Sequence, residues 1–176
     1  MSTLPDIAWE LMYLLVGWLV VIPICTFLHE LGHAIMALLL TSHKVMIQLG
    51  KQGIKWRIPL GRLTIIWYLG FGAVWGVYHF EGQGEIQPNR NIWILLGGPI
   101  TSLLFTIFFS SLDVLADEAV LFLDIFATGT LIAFLITAIP WHYPKWMGVM
   151  GGMASDGLEV WRLLKQPNHG IQKLDE

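Results

Sequence analysis

Residues 22–40 read IPICTFLHELGHAIMALLL. The stretch is apolar enough for a membrane span, yet His29, Glu30 and His33 stand in its middle. Residues four apart on an α-helix share a face, one turn above the other. His29 and His33 can therefore turn two imidazole nitrogens toward one metal ion, and Glu30 can reach a water on that ion as general base. At this composition the pattern H-E-x-x-H arises by chance in roughly one such chain in a hundred. The setting adds weight, because Leu11–Leu28 and Ala34–His43 carry no Asp, Glu, Lys or Arg. A Glu and two His inside such a helix are costly in lipid and mark a functional site. The plain structural account would be two His packed at a helix interface.

Composition points the same way. Of 176 residues, 55% are hydrophobic and 13% charged, and the mean hydropathy is +0.63, which fits a multi-pass integral membrane protein of one domain. Nine Trp suit the bilayer interface. A net charge of −3 gives no basic footprint for nucleic acid. The single cysteine, Cys25, excludes an internal disulfide and lies mid-span, one residue off the spacing that would put it beside His29. The N-terminus has no basic region, with Asp6 and Glu10 instead, so the first apolar segment is expected to stay as an anchor.

The first helix is expected over about residues 7–40, long enough to tilt, kink or protrude, with Pro23 as the natural kink. Residues 43–80 read as strand-rich. Val45–Leu49 and the alternating Ile54–Ile58 are strands, Gly50–Gly53 and Pro59–Gly61 are turns, and a small β-hairpin or sheet at the membrane surface follows. Leu63–Tyr78 fits further strands, a re-entrant loop or a short span. A second helix is expected over about 91–112, with Gly97-Gly98-Pro99 allowing another helix to approach, and a third over about 119–139, ending at Pro140. Asp124 interrupts it, at the interface or against a helix partner. A final amphipathic helix over about 155–165 has Ser155 or Asp156 as N-cap. The fold class is thus membrane α-helical, with about three core transmembrane helices and a small membrane-associated β-sheet after the first.

Lys and Arg flank the end of helix 1, the start of helix 2 and the stretch after helix 3, whereas the helix 2–3 turn holds only acids. The positive-inside rule then puts residues 41–90 and the C-terminus in the cytoplasm and residues 113–118 outside. His29 and His33 fall in the cytoplasmic half of helix 1. Asp113, Asp117 and Glu118 are excluded as a third ligand, while His79, Glu81, Glu85, His142, Asp156 and Glu159 remain. Of the other histidines, His43 and His169 belong in wet loops, and His142 has the best claim to support a ligand.

Three stretches give the chain a resemblance to the site-2 proteases, the zinc intramembrane metalloproteases. HELGH at 29–33 lies in the first core span, GGP at 97–99 opens the next, and SDG at 155–157 follows a span ending in Ala138-Ile139-Pro140. The resemblance implies that Asp156 is the third ligand of one Zn2+ per chain, with His29 and His33. Thr137 stands where the family has Asn before x-x-Pro, and Ser102 where Asn often follows Gly-Pro. The helix 2–3 turn is too short for a PDZ-like domain.

The implied function is a zinc-dependent intramembrane endopeptidase with Glu30 as general base. It would act on a transmembrane protein or peptide within the lipid bilayer, with the active site toward the cytoplasm. An extended substrate is expected to pair with a strand edge in 45–58 or 63–69. A homo-oligomer is compatible with these residues. The rivals are a non-proteolytic metal-binding or metal-transporting membrane protein, a membrane zincin whose third ligand is Glu81 or Glu159, and a purely structural membrane protein.

Overall fold

The computed structural model describes residues 17–69, 75–81, 86–113 and 120–165, with Trp9, Met12 and Leu15 before them. A π-helical turn at Gly17–Val21 leads into α1, Ile22–Leu40. Pro23 stands in the first turn of α1, where its missing N–H costs nothing. The expected kink therefore takes the form of a π-to-α junction. Four strands follow, β1 (Lys44–Leu49), β2 (Ile54–Leu60), β3 (Leu63–Leu69) and β4 (Gly76–Glu81). Then come α2 (Pro88–Asp113), α3 (Val120–Ala138), a 3-10 segment at Lys145–Met150 and α4 (Asp156–Lys165).

Leu19–Leu40 and Pro88–Leu112 are long and apolar enough to cross a membrane, and the apolar stretch in α3, Phe122–Ala138, is shorter. Leu39, Leu104, Ile107 and Ile132 are exposed on these helices, a surface suited to lipid. Glycines set the helix crossings. A Cβ on Gly97 would lie 2.5 Å from the Gly32 carbonyl oxygen, and one on Gly32 would run into Gly97 and Thr101. A Cβ on Gly129 of α3 would come within 2.9 Å of the Cys25 sulfur, so Cys25 serves as a small packing residue of α1. Asp124 is exposed in the second turn of α3, near the end of the helix.

The strands form one sheet in the order β2-β3-β1-β4. The 45–49 and 54–58 stretches are both strands, but they do not form a hairpin with each other. β2 pairs antiparallel with β3 across the two-residue turn Gly61–Arg62, where Gly61 has φ 64°. β1 lies parallel to β3 and antiparallel to β4. Of Leu63–Tyr78, residues 63–69 and 76–78 are thus strand rather than span, and 70–74 lie outside the described residues. β1 and β3 are interior strands, so the 45–49 and 63–69 parts of the expected pairing site are closed, whereas 54–58 lies in β2, an edge strand. Among the described residues the free edges belong to β2 and β4. Pro59 is tolerated in β2 because that strand has a neighbour on one side only.

The alternation in β1 turns Val45, Ile47 and Leu49 inward to a core shared with Ala34, Ala37 and Ile94 of the helices. Two arginines close the negative end of α1. Arg62 donates to the carbonyls of Leu38 and Thr41, both at 2.7 Å, and Arg90 donates to that of Leu40 at 3.0 Å. The sheet and the start of α2 are thereby fastened to the end of the helix that carries the His pair.

At the far end of the chain the Ser-Asp-Gly motif docks α4 onto α3. Ser155, fully buried, accepts from the Leu158 N–H as N-cap and donates to the Ile139 carbonyl at 2.7 Å. A Cβ on Gly157 would collide with the Ala138 carbonyl. Serine ties the helix down, and glycine lets it come close.

Candidate metal centre

On α1, His29 and His33 face α2 and are 6% and 1% exposed, with their Nε2 atoms 3.1 Å apart. The docked start of α4 brings Asp156 to the same spot. Its Oδ2 lies 3.2 Å from Nε2 of His29 and 3.4 Å from that of His33. Zinc bonds to N and O are about 2.0–2.2 Å, so tetrahedral ligands stand about 3.3 Å apart. The three spacings fit.

The outer ring nitrogens fix the tautomers. His33 Nδ1 is 2.7 Å from the Ile94 carbonyl, which only accepts, so Nδ1 holds the proton and Nε2 is bare. The Gly98 N–H also points at Nδ1, at 3.3 Å, but the shorter carbonyl contact decides the donor. His29 Nδ1 meets the Ser102 hydroxyl at 3.0 Å, which accepts in the tautomer that leaves its Nε2 bare. Burial alone would raise the Asp156 carboxyl. Positive charge on the His33 ring and hydrogen bonds from both rings, carried by a proton among these atoms when no metal is bound, outweigh that and hold it well below the usual carboxylate range. With Nδ1 of each ring engaged elsewhere, two Nε2 atoms and a carboxylate oxygen converge on one point, an arrangement that a shared proton or a metal cation satisfies.

Gly98 makes room for this. A Cβ there would strike His33 Nε2 and come within 2.7 Å of His29 Nε2. Alanine is the better helix former by about 1 kcal/mol. Gly98→Ala is therefore expected to lower zinc affinity at least about tenfold and to cost about 1–3 kcal/mol of overpacking, which the helix-propensity gain offsets only in part. Thermal unfolding and metal content, measured on the same preparation, check the pair.

Glu30 is 8% exposed and lies between α1 and β4. A Cβ on Gly76 would meet its Cγ at 2.7 Å, and the Tyr78 backbone amide is its hydrogen-bond partner. The Tyr78 ring stacks on His33, with centroids 4.6 Å apart and planes at 26°. β4 thus walls the site on one side, as α2 does on the other.

The remaining third-ligand candidates do not converge. Glu159 is half-exposed and paired with Arg162 at 2.6 Å. His79 and Glu81 are exposed on β4, and Glu85 lies outside the described residues, as do Asp117, Glu118 and His169. His142 faces outward, its Nε2 2.9 Å from Arg162, so it supports no ligand. His43 packs edge-on against Phe80. Thr137 donates to the Ala133 carbonyl of its own helix at 2.8 Å. Among the described residues His29, His33 and Asp156 form the one set of three that could hold a metal. Sequence reasoning missed Tyr78 altogether. Its signal was the alternation of Tyr78 and Phe80 in a short strand, which shows a buried face but not what lies on it.

The model of peptidase family M50, the site-2 protease family, matches residues 17–166. The chain belongs to that family. Among curated proteins none matches. Membership carries the coarse reading of a site-2-type metalloprotease in a membrane, and the His29–His33–Asp156 set of this M50 chain could hold its metal.

Proposed function

We propose that this M50 chain is a zinc-dependent endopeptidase that cleaves membrane-embedded proteins, with His29, His33 and Asp156 as ligands and Glu30 as general base. The observation that carries the reading is the convergence of two imidazole nitrogens and a carboxylate oxygen beside a buried Glu, inside an apolar helix. Zinc held there supplies Lewis acidity, polarising the scissile carbonyl and easing loss of a proton from water. Glu30 takes that proton and hands it to the leaving amine. Asp156, kept anionic, completes the ligand set, while Ile94 and Ser102 hold both rings with Nε2 turned inward. The substrate must be locally extended to offer its carbonyl. β4 touches Glu30 and His33 through Gly76 and Tyr78 and has an edge that pairs with no other described strand, so it is the better placed of the two edge strands, β2 (which contains 54–58 of the expected 45–58) being the other.

Three crossings follow if α3, at 19 residues and roughly 1.5 Å per residue, joins α1 and α2 as a span. Arg62 and Arg90 at the end of α1 then mark the cytoplasmic side, with the active site in that half of the membrane.

The test uses proteoliposomes and a single-span reporter with a Gly-Ser break in its apolar segment. Cleavage within that segment is expected, stopped by a zinc chelator and restored by added zinc. Cleavage confined to the reporter's soluble flanks, or untouched by the chelator, would count against the reading.

A further inference from the structure

Every residue of β2 is exposed, although Ile54, Trp56, Ile58 and Leu60 are large and apolar and stand 44–68% open. The pairing fixes where these four point. Ile58 lies opposite Ile65 of β3, which lies beside Ile47 of β1. Trp56 is joined in the same way through Trp67 to Leu49, and Leu60 through Leu63 to Val45. Side chains that face each other across a ladder share one side of the sheet. Val45, Ile47 and Leu49 are the inward residues of β1. The bare row of β2 therefore continues the core face of the sheet. α1 reaches that face as far as Trp67, whose ring centroid lies 6.0 Å from that of Phe27, and β2 lies beyond.

Lys55 and Arg57 alternate with this row and take the opposite face, both exposed. From Leu31 to Phe80 the chain carries Lys44, Lys51, Lys55, Arg57 and Arg62 and no Asp or Glu. The edge itself is guarded against a further strand. Pro59 has no N–H for β3, which suits a pair with Thr64 that exchanges no hydrogen bonds. Such pairs alternate, so Lys55 and Arg57 also turn their backbone groups outward. Two cations and a proline on an edge keep other strands away. Nor does the charge suit the flank of a spanning substrate. Cytoplasmic flanks of spans are rich in Lys and Arg themselves, whereas the leaflet on that side is acidic.

We propose that β2 is a lipid-docking strand whose Ile54, Trp56, Ile58 and Leu60 lie among acyl chains, while Lys51, Lys55 and Arg57 bind the headgroups of acidic phospholipids. Lipid chains cover the apolar row that no described residue covers. The long basic side chains reach back to the phosphates, which the absence of any nearby carboxylate leaves free to bind them. This rests on the membrane reading of the chain and not on peptide cleavage.

The test uses the full chain in vesicles of phosphatidylcholine and phosphatidylglycerol. A nitroxide is attached at Ile58→Cys or Arg57→Cys, each in a Cys25→Ala background. The label at 58 is expected to meet dissolved oxygen more than a water-soluble nickel chelate, and the label at 57 the reverse. Spin-labelled phosphatidylglycerol should associate with wild type about threefold more strongly than spin-labelled phosphatidylcholine. Combining Lys51→Gln, Lys55→Gln and Arg57→Gln should erase that preference, as should high salt, with thermal unfolding and zinc per chain unmoved. A label at 58 open to the nickel chelate overturns the proposal, because the row then faces water. A label shielded from both reagents does so too, because the cover is then protein, such as a second copy. A lipid preference that survives the triple change, or that Lys145→Gln with Lys165→Gln removes instead, places the acidic lipid elsewhere. If the triple change costs only the binding of a single-span reporter with an acidic flank, the surface belongs to substrate and the proposal fails. Absence of zinc or of cleavage in wild type would remove the endopeptidase reading and leave this one standing.

Discussion

Glu30→Gln is expected to keep one zinc per chain and to lose cleavage by a factor of about 10²–10⁴. The amide has nearly the shape of the carboxylate and can still meet the Tyr78 amide with its oxygen, so packing against Gly76 is retained. What disappears is the basic oxygen that takes a proton from water. The ligand atoms belong to other residues, and their outer hydrogen bonds run to Ile94 and Ser102, away from Glu30. Zinc content measured beside reporter cleavage separates the readings. A metal-transporting or metal-storing protein would work almost normally after the same substitution, because its chemistry asks nothing of a base. Normal proteolysis by Glu30→Gln would remove Glu30 from the mechanism.

The second large effect is on the metal itself. Asp156→Ala is expected to drop zinc from about one per chain to near none and to abolish cleavage, because two imidazoles alone give half of a tetrahedral set. The fold should survive, since α4 is docked by Ser155 and Gly157 rather than by Asp156. Circular dichroism beside elemental analysis checks both halves. Zinc retained by the variant would point to Glu81 or Glu159, although both lie away from the His pair, and would break the family likeness at its third motif.

The parts of this site differed in how far they could be read from the sequence. His29 and His33 were legible because a helix turns a spacing of four into a shared face, and nothing distant is needed to know it. Asp156 was legible only through the resemblance. It stands 127 residues from His29, and no local period encodes a partner so far away. The strands announced themselves by alternation, but alternation fixes which face is buried and not which neighbour is paired. The two-residue turn at Gly61–Arg62 made the hairpin β2–β3 and left β1 to find β3 in parallel. Ser102 and Tyr78 carry no signature as partners of a histidine. Their roles come from the way α2 and β4 pack on α1, which depends on the whole set of Gly32, Gly97, Gly98 and Gly76 contacts.

On the proposed reading, the same separation between His29 and Asp156 sets when the metal centre can first close. Synthesis delivers the His pair early and the carboxylate last, so a growing chain that already sits in the bilayer holds only two of its three ligands. Until Ser155 hooks onto Ile139, the half-made protein would lack the third proposed ligand and so a complete metal centre.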